Sequence, residues 1–538
     1  MSAAKPIRGV VNNAKFKDPA DVALQNGPYL ETASTDEGDL ITRRSPPGTP
    51  TPLHKEAHAN GVSGDANQKQ GDNLSVPAAR PAGRVRANSF SARPSLMDWE
   101  TLQESQNSFR GFFTLVWMTM AAYMSLNLFN NWKNDGQFIG THLATQMFSE
   151  SWDFLFSEIV LIMSLFSVFF FTKFLVSIRS VFAKGSLTPR VVARAIQHTY
   201  QTIWFGIALY WVYNRDNWSW TQKGSFTIHT MAMLLKQHSY MSYNAEMLHK
   251  WTKVQQYKRR MDELAGSMKK LNDASSELAP SNKEWEECKE KAQETQVELR
   301  KGNTEFPKNV TFYNFIDYLL VPTLVYELEY PRTNRIRPWY VFEKTAGFLG
   351  VCMCLYITIE HLIYPVLMNM GSITFVESLT QLLIPFMVAY MMIFYLIFEC
   401  VLCWFAEMTR FADRQFYDDW WNSVTFDEYA RKWNKPVHEF LLRHVYLESI
   451  SQYKLSKNNA TFLTFFLSSC LHEVVMVVLS KRLRMYLFIM QMLQIPLIYV
   501  SRWSKLKKHP RWGNGFFWFA MYTGPPLLGI AYCREVFV

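Results

Sequence analysis

A histidine inside an apolar run is the side chain best placed to move a proton in this chain. His472 lies in Thr461–Leu479, a stretch of membrane-spanning length, with Glu473 beside it. An ionisable group at the centre of such a segment costs roughly 2.5–3.5 kcal/mol on insertion scales, so its presence points to function. Imidazole titrates near neutrality, and an apolar setting disfavours its charged form, leaving a neutral base. Upstream, Phe416-Tyr417-Asp418-Asp419-Trp420-Trp421-Asn422 crowds aromatics, acids and an amide into one short stretch. Asn422 offers an uncharged N–H donor that could steady a developing oxyanion. Glu473, about 100° from His472 on a helix, is placed to orient a neighbouring group rather than the ring itself. Asp419 reads as a holder of backbone or of a basic side chain. Plainer readings stand beside these: a buried helix–helix hydrogen bond for His472, an aromatic belt at the lipid interface for Tyr417, Trp420 and Trp421.

The pair of motifs resembles the membrane-bound O-acyltransferases, in the branch of sterol and diacylglycerol O-acyltransferases. Further stretches carry the same likeness: Pro322–Thr333, Trp433-Asn-Lys-Pro-Val-His438, Arg443-His-Val-Tyr446 and Ser468-Ser-Cys-Leu-His-Glu473. It runs from about residue 109 to the C-terminus, and the last two stretches favour the sterol side, with diacylglycerol as the alternative acceptor. The resemblance implies transfer from a long-chain acyl-CoA, a co-substrate and not a cofactor, to a membrane sterol. It also implies the endoplasmic reticulum membrane and a homo-oligomer, dimer or tetramer. Such a transfer needs a base for the hydroxyl proton, donors for the oxyanion and exclusion of water. His472 and Asn422 fill the first two roles; Tyr417, Trp420, Trp421, Glu473, Arg414 and Lys435 form the candidate substrate-contacting set, and Phe416 and Asp419 complete the motif. A covalent route through Ser468 or Ser469 competes, but no Gly-x-Ser-x-Gly elbow surrounds either. The basic residues Arg410, Arg414, Lys432 and Lys435 lie on the side where the nucleotide end of acyl-CoA would stay in water.

The elements that must hold these groups are membrane helices. Aromatic residues make up 15% of the 538 residues and charged residues only 19%, below the usual quarter. The mean hydropathy of −0.10 averages polar and apolar blocks and hides the spans. Apolar runs at about 112–129, 154–176, 203–213, 341–367, 382–405, 460–480, 485–500 and 516–532, with a more polar one at 226–241, predict an all-α polytopic protein of about nine transmembrane helices. Residues 1–107 predict a disordered tail, poor in large apolar side chains, ahead of one catalytic domain over 108–538. Within the tail, Arg84-Val-Arg-Ala-Asn-Ser89 has the form of a basophilic kinase site or of a plain solvated basic segment. Residues 244–307 predict a charged, helical, cytosolic loop, and Tyr313–Tyr330 an amphipathic helix in the interface.

Basic residues before the first span place the N-terminus in the cytoplasm; Lys481-Arg-Leu-Arg484 alone breaks that pattern. The net charge of +10 suits anionic lipid, and no basic stripe with stacking aromatics suggests nucleic acid. Seven cysteines show no disulfide framework, and no metal-ligand spacing emerges, Cys400-x-x-Cys403 lacking a second pair. A transporter would need internal repeats and ionisable residues along a path; neither is present in the sequence.

Overall fold

The computed structural model describes residues 90–98, 101, 110–181, 190–272, 279–501 and 509–537. Residues 1–89, including Ser89, lie outside the described residues. The remainder is almost entirely helical. In order come α1 (Arg110–Asp135), α2 (Thr141–Met147), α3 (Ser151–Ser164), α4 (Phe166–Val181), α5 (Arg190–Tyr213), α6 (Trp220–Asn272) and α7 (Ala279–Glu298). A two-residue hairpin, β1 (Arg300–Lys301) and β2 (Thr304–Glu305), leads into α8 (Phe312–Leu320). Then follow α9 (Pro338–Thr358), α10 (Tyr364–Met368), α11 (Phe375–Tyr395), α12 (Cys403–Met408), α13 (Phe426–Lys432), α14 (Lys435–Phe440), α15 (Glu448–Ser451), α16 (Lys457–Ser480), α17 (Tyr486–Met492), α18 (Gln494–Ser501) and α19 (Pro510–Phe537).

Helices cover every stretch predicted to span. Four segments among the described residues are long and apolar enough to cross a bilayer: Leu143–Ile178, Pro338–Met368, Phe375–Met408 and Lys457–Ser480. Their starts obey local rules. Pro338 opens α9, where its missing N–H costs nothing. The Thr374 and Ser456 side chains accept the amides of Glu377 and Asn459 and so cap α11 and α16. Two π-helical turns, Ile359–Ile363 and Leu396–Leu402, interrupt these segments, and a third, Leu441–Leu447, joins α14 to α15. Each carries ionisable residues, Glu360 and His361, Glu399, and Arg443 and His444, as such turns commonly do at functional sites.

The charged loop predicted for 244–307 is a hairpin: α6 continues out of the apolar region and α7 returns along it, joined by Arg260–Glu284 at 2.9 Å and Lys250–Glu298 at 3.4 Å. The amphipathic helix predicted over Tyr313–Tyr330 stops at Leu320. Beyond it the chain is irregular yet buried, with Val321, Val325 and Tyr326 fully enclosed. Pro322 cannot continue the helix, and the buried Lys236 amine receives its last carbonyls, donating to Tyr318 and Val321 at 2.8 and 2.7 Å.

Part of the stretch predicted as a tail falls within the described residues. Residues 90–98 form a strap laid into the body. The Phe90 ring meets Tyr330 and Phe411, the Arg93 guanidinium pairs with Asp413 at 2.7 and 3.0 Å, and Arg93 exchanges backbone bonds with Ala412 and Arg414. Composition describes what a segment buries by itself, and this one borrows its partners from the body.

Loops that share an end of the molecule can be read from their contacts. Lys481 sits over the Tyr213 ring and pairs with Asp216 at 3.0 Å. Arg534 reaches the carbonyls of Met370 and Ile373. At the opposite end, the strap meets the segment after α12, and Arg194 meets Gln452.

Candidate active site

His472 lies on α16, one turn after Ser468. The ring is exposed, and its Nδ1 stands 2.7 Å from the Ser468 carbonyl oxygen one turn back. A carbonyl only accepts, so Nδ1 carries the proton and Nε2 keeps the basic lone pair. Glu473, on the next face, points inward and is 3% exposed. Its carboxylate accepts the amides of Met485 and Phe488 at 2.8 and 3.0 Å and the Tyr532 hydroxyl at 2.9 Å. It therefore anchors the start of α17, where an anion is favoured, and Glu473 is not free to contact substrate as expected. The Ser469 hydroxyl is buried and donates to the Phe465 carbonyl at 2.8 Å.

The seven-residue motif folds as a loop ending in a single 3₁₀ turn, Trp420–Asn422. Its aromatics are not a membrane-edge belt. Tyr417 and Trp420 are 1% and 0% exposed, and Phe416 is equally enclosed. Trp420 packs against Phe394, Trp433 and Trp518, with ring centroids 5.3, 4.8 and 5.7 Å away. The half-buried Trp421 gives its carbonyl to Asn514 and Trp518, tying the motif to α19. The acids meet bases: Asp418 with Lys435 at 3.3 Å, Asp419 with Lys432 at 2.9 Å. Burial alone would push the Asp419 carboxyl up, but Lys432 and Asn422 outweigh it and hold it below the ordinary range. Asn422 is exposed and donates to Asp419 at 3.4 Å, leaving its second amide proton uncommitted. No hydrogen bond joins Asn422 to His472 among the described residues.

Beneath the motif lies a buried ionic cluster. The Tyr417 hydroxyl donates to Glu399 at 2.6 Å, and the Ser95 hydroxyl of the strap donates to the same oxygen. Lys344 lies between Glu399 at 3.5 Å and Asp98 at 3.2 Å, and Tyr340 donates to Asp98 at 2.9 Å. Arg414 and Arg337 reach Glu407 at 2.5 and 3.1 Å. Three cations, Arg337, Lys344 and Arg414, crowd the Tyr340 ring at 4.3, 4.9 and 4.9 Å. Arg414, read from sequence as a substrate contact, is walled in at 4% exposure and serves this cluster. Lys435 is likewise tied to Asp418. Of the four basic residues assigned to the nucleotide side, Arg410 alone is exposed without a side-chain partner among the described residues.

The family model described as MBOAT, membrane-bound O-acyltransferase family, matches residues 152–534. A Schizosaccharomyces pombe protein, Probable sterol O-acyltransferase 1, is 35% identical over 84% of this chain and 87% of its own length. The chain belongs to the membrane-bound O-acyltransferase family. Sterol O-acyltransferase 2 of Saccharomyces cerevisiae is 31% identical over 79% of this chain and 66% of its own. Diacylglycerol O-acyltransferase 1-1 of Oryza sativa subsp. japonica is 35% identical, over 42% of this chain and 43% of its own.

The protein is a multi-pass O-acyltransferase; His472 Nε2 has no hydrogen-bond partner among the described residues, and the acids of the motif are paired with lysines. Sequence reading missed Ser95, Asp98, Lys344, Glu399 and Glu407. A signal was present for three of them: Lys344, Glu399 and Glu407 are ionisable groups in or at the end of apolar runs, as conspicuous by that criterion as His472.

Proposed function

We propose that this acyltransferase esterifies a membrane sterol with the acyl group of a long-chain acyl-CoA, in the endoplasmic reticulum membrane. The observation that carries the reading is His472, with Nδ1–H held by the Ser468 carbonyl and Nε2 uncommitted. Nε2 takes the sterol hydroxyl proton as the oxygen attacks the thioester carbonyl. A C–O bond forms, the C–S bond breaks, and the imidazolium returns its proton to the departing thiolate, giving steryl ester and CoA. Asn422 donates its free amide proton to the carbonyl oxygen as charge develops there. His472 is exposed from protein, so water exclusion falls to lipid and to the bound acyl chain. Arg410 is the basic residue left to meet phosphate. The N-terminus lies in the cytoplasm, as the basic residues ahead of the first span favour, with Lys481-Arg-Leu-Arg484 an exception to that pattern. The active form is a homo-oligomer.

The sterol acceptor is favoured over diacylglycerol because the relatives named for sterols match along most of the chain, against 42% for the rice protein. Purified protein given labelled oleoyl-CoA with either a sterol or diacylglycerol should form steryl ester at the higher rate. Triacylglycerol as the main product would overturn the assignment.

A further inference from the structure

Away from His472, the geometry points to a divalent-cation site of the zinc type, formed by His238 of α6, His444 of the third π turn and Glu448 of α15. One ligand atom from each lies within 4.8 Å of the other two, the one such histidine–carboxylate group among the described residues. The two imidazole rings stand 5.3 Å apart at 87°, converging rather than stacked. His444 and Glu448 are four residues apart and share a helix face, while His238 comes from a neighbouring helix.

The second nitrogen of each ring has a partner, the arrangement that orients a metal-binding histidine. His238 Nδ1 is 3.0 Å from the Gln201 side-chain oxygen, and His444 Nε2 is 2.8 Å from the Ser239 hydroxyl oxygen. Ser239 Oγ also accepts the Tyr326 amide at 2.8 Å and has a lone pair for the His444 N–H. With both N–H groups so held, His238 Nε2 and His444 Nδ1 carry free lone pairs. Their other contacts are loose: Ser242 lies 3.4 Å from His238 Nε2, and the Gln197 amide 3.4 Å from Nδ1. Arg194 stands 3.7 Å from the Glu448 carboxylate and already donates to Gln452 at 2.8 Å, so it can yield to a cation.

Two imidazoles and one carboxylate are the donor set of a borderline-soft ion, with water in the fourth place. Bonds of roughly 2.0–2.2 Å set tetrahedral ligand atoms about 3.4 Å apart, so binding draws this group together by about 1 Å. Both α6 and the π turn pack against α16, the helix that carries His472. The ion would clamp two supports of that helix, a positioning task outside the chemistry of transfer.

The test uses full-length protein, purified in detergent on a tag without histidine, stripped with chelator and titrated with zinc. About one zinc per chain should bind, raise the melting temperature, and be retained by His472→Ala. Cobalt in its place should give visible bands of tetrahedral intensity. The double change His238→Ala and His444→Ala should abolish both signals, and Ser239→Ala should weaken affinity about 10-fold or more. Should the double variant not fold, Glu448→Gln decides, by loss of the cobalt bands. Wild-type protein that binds no zinc at micromolar concentration, or a zinc stoichiometry unchanged in Glu448→Gln and the double variant, overturns the site.

Discussion

The motif loop and the face of α16 around His472 are built on opposite plans. In and beside the loop the ionisable groups and the phenol have partners: Tyr417 with Glu399, Asp418 with Lys435, Asp419 with Lys432, Arg414 with Glu407. On α16, His472 has one nitrogen held and the other open, and the ring faces out. The motif's reactive residue types are mostly tied to one another, whereas His472 keeps a nitrogen without a hydrogen bond among the described residues, where the chemistry is proposed. The physical reason is that charges placed near one another in a low dielectric must neutralise or be expelled. What remains available for a substrate is whatever was left out of that pairing.

The contrast is sharpest under substitution. His472→Ala should cut esterification about 10²–10⁴-fold, the usual worth of general-base assistance, while melting temperature and acyl-CoA binding stay near wild type. An equal loss of stability would move His472 into the architectural class. Arg414→Ala should do the reverse, leaving Glu407 buried with weaker compensation and costing about 3–5 kcal/mol of stability. Thermal unfolding in detergent measures it; a variant that melts normally but fails to bind acyl-CoA would restore Arg414 to the substrate. Asn422→Ala, at the border of the two regions, should lower turnover about 10²–10³-fold if its free amide proton meets the oxyanion. A change confined to KM would show that it only holds Asp419.

The smallest effect concerns pH. Burial, then Arg431 and Lys435, press the His438 pKa down to about 4. The unfolded chain, with a pKa near 6.5, therefore binds the extra proton first, and stability falls as pH drops from about 6.5 toward 4. His438→Gln should flatten that stretch of the melting-temperature profile, and an unchanged slope would assign the acid sensitivity to another group.

Much of this was legible in the sequence. The apolar runs gave the helices, and the cost of a charge in such a run gave His472. The strap was not legible, because the worth of Arg93, Ser95 and Asp98 depends on Asp413, Glu399 and Lys344, groups far along the chain. Nor was the fate of Arg414 and Lys435. A basic residue near the cytosolic side reads the same whether it faces phosphate or an internal acid, and only the fold brings Glu407 or Asp418 alongside. Tyr417 and Trp420 have interface-like side chains, and their burial follows from the aromatic neighbours that three other helices supply, Phe394, Tyr429 and Trp518.

The strap also sets a timetable. Ser95 and Glu399 are 304 positions apart, and Arg93 and Asp413 are 320. At about 5–20 residues per second, the ribosome delivers the later partner roughly 15 to 60 s after the earlier one. Until then Lys344 lacks Glu399, and residues 90–98 have only Tyr330, Tyr340 and Lys344 among these partners. The ionic cluster beneath the motif is thus completed late in biogenesis by a segment made early. Nascent chains halted before residue 399 should leave residues 90–98 open to protease, and chains extended past 440 should protect them; equal protection in both would mean the strap seats itself on the earlier helices alone.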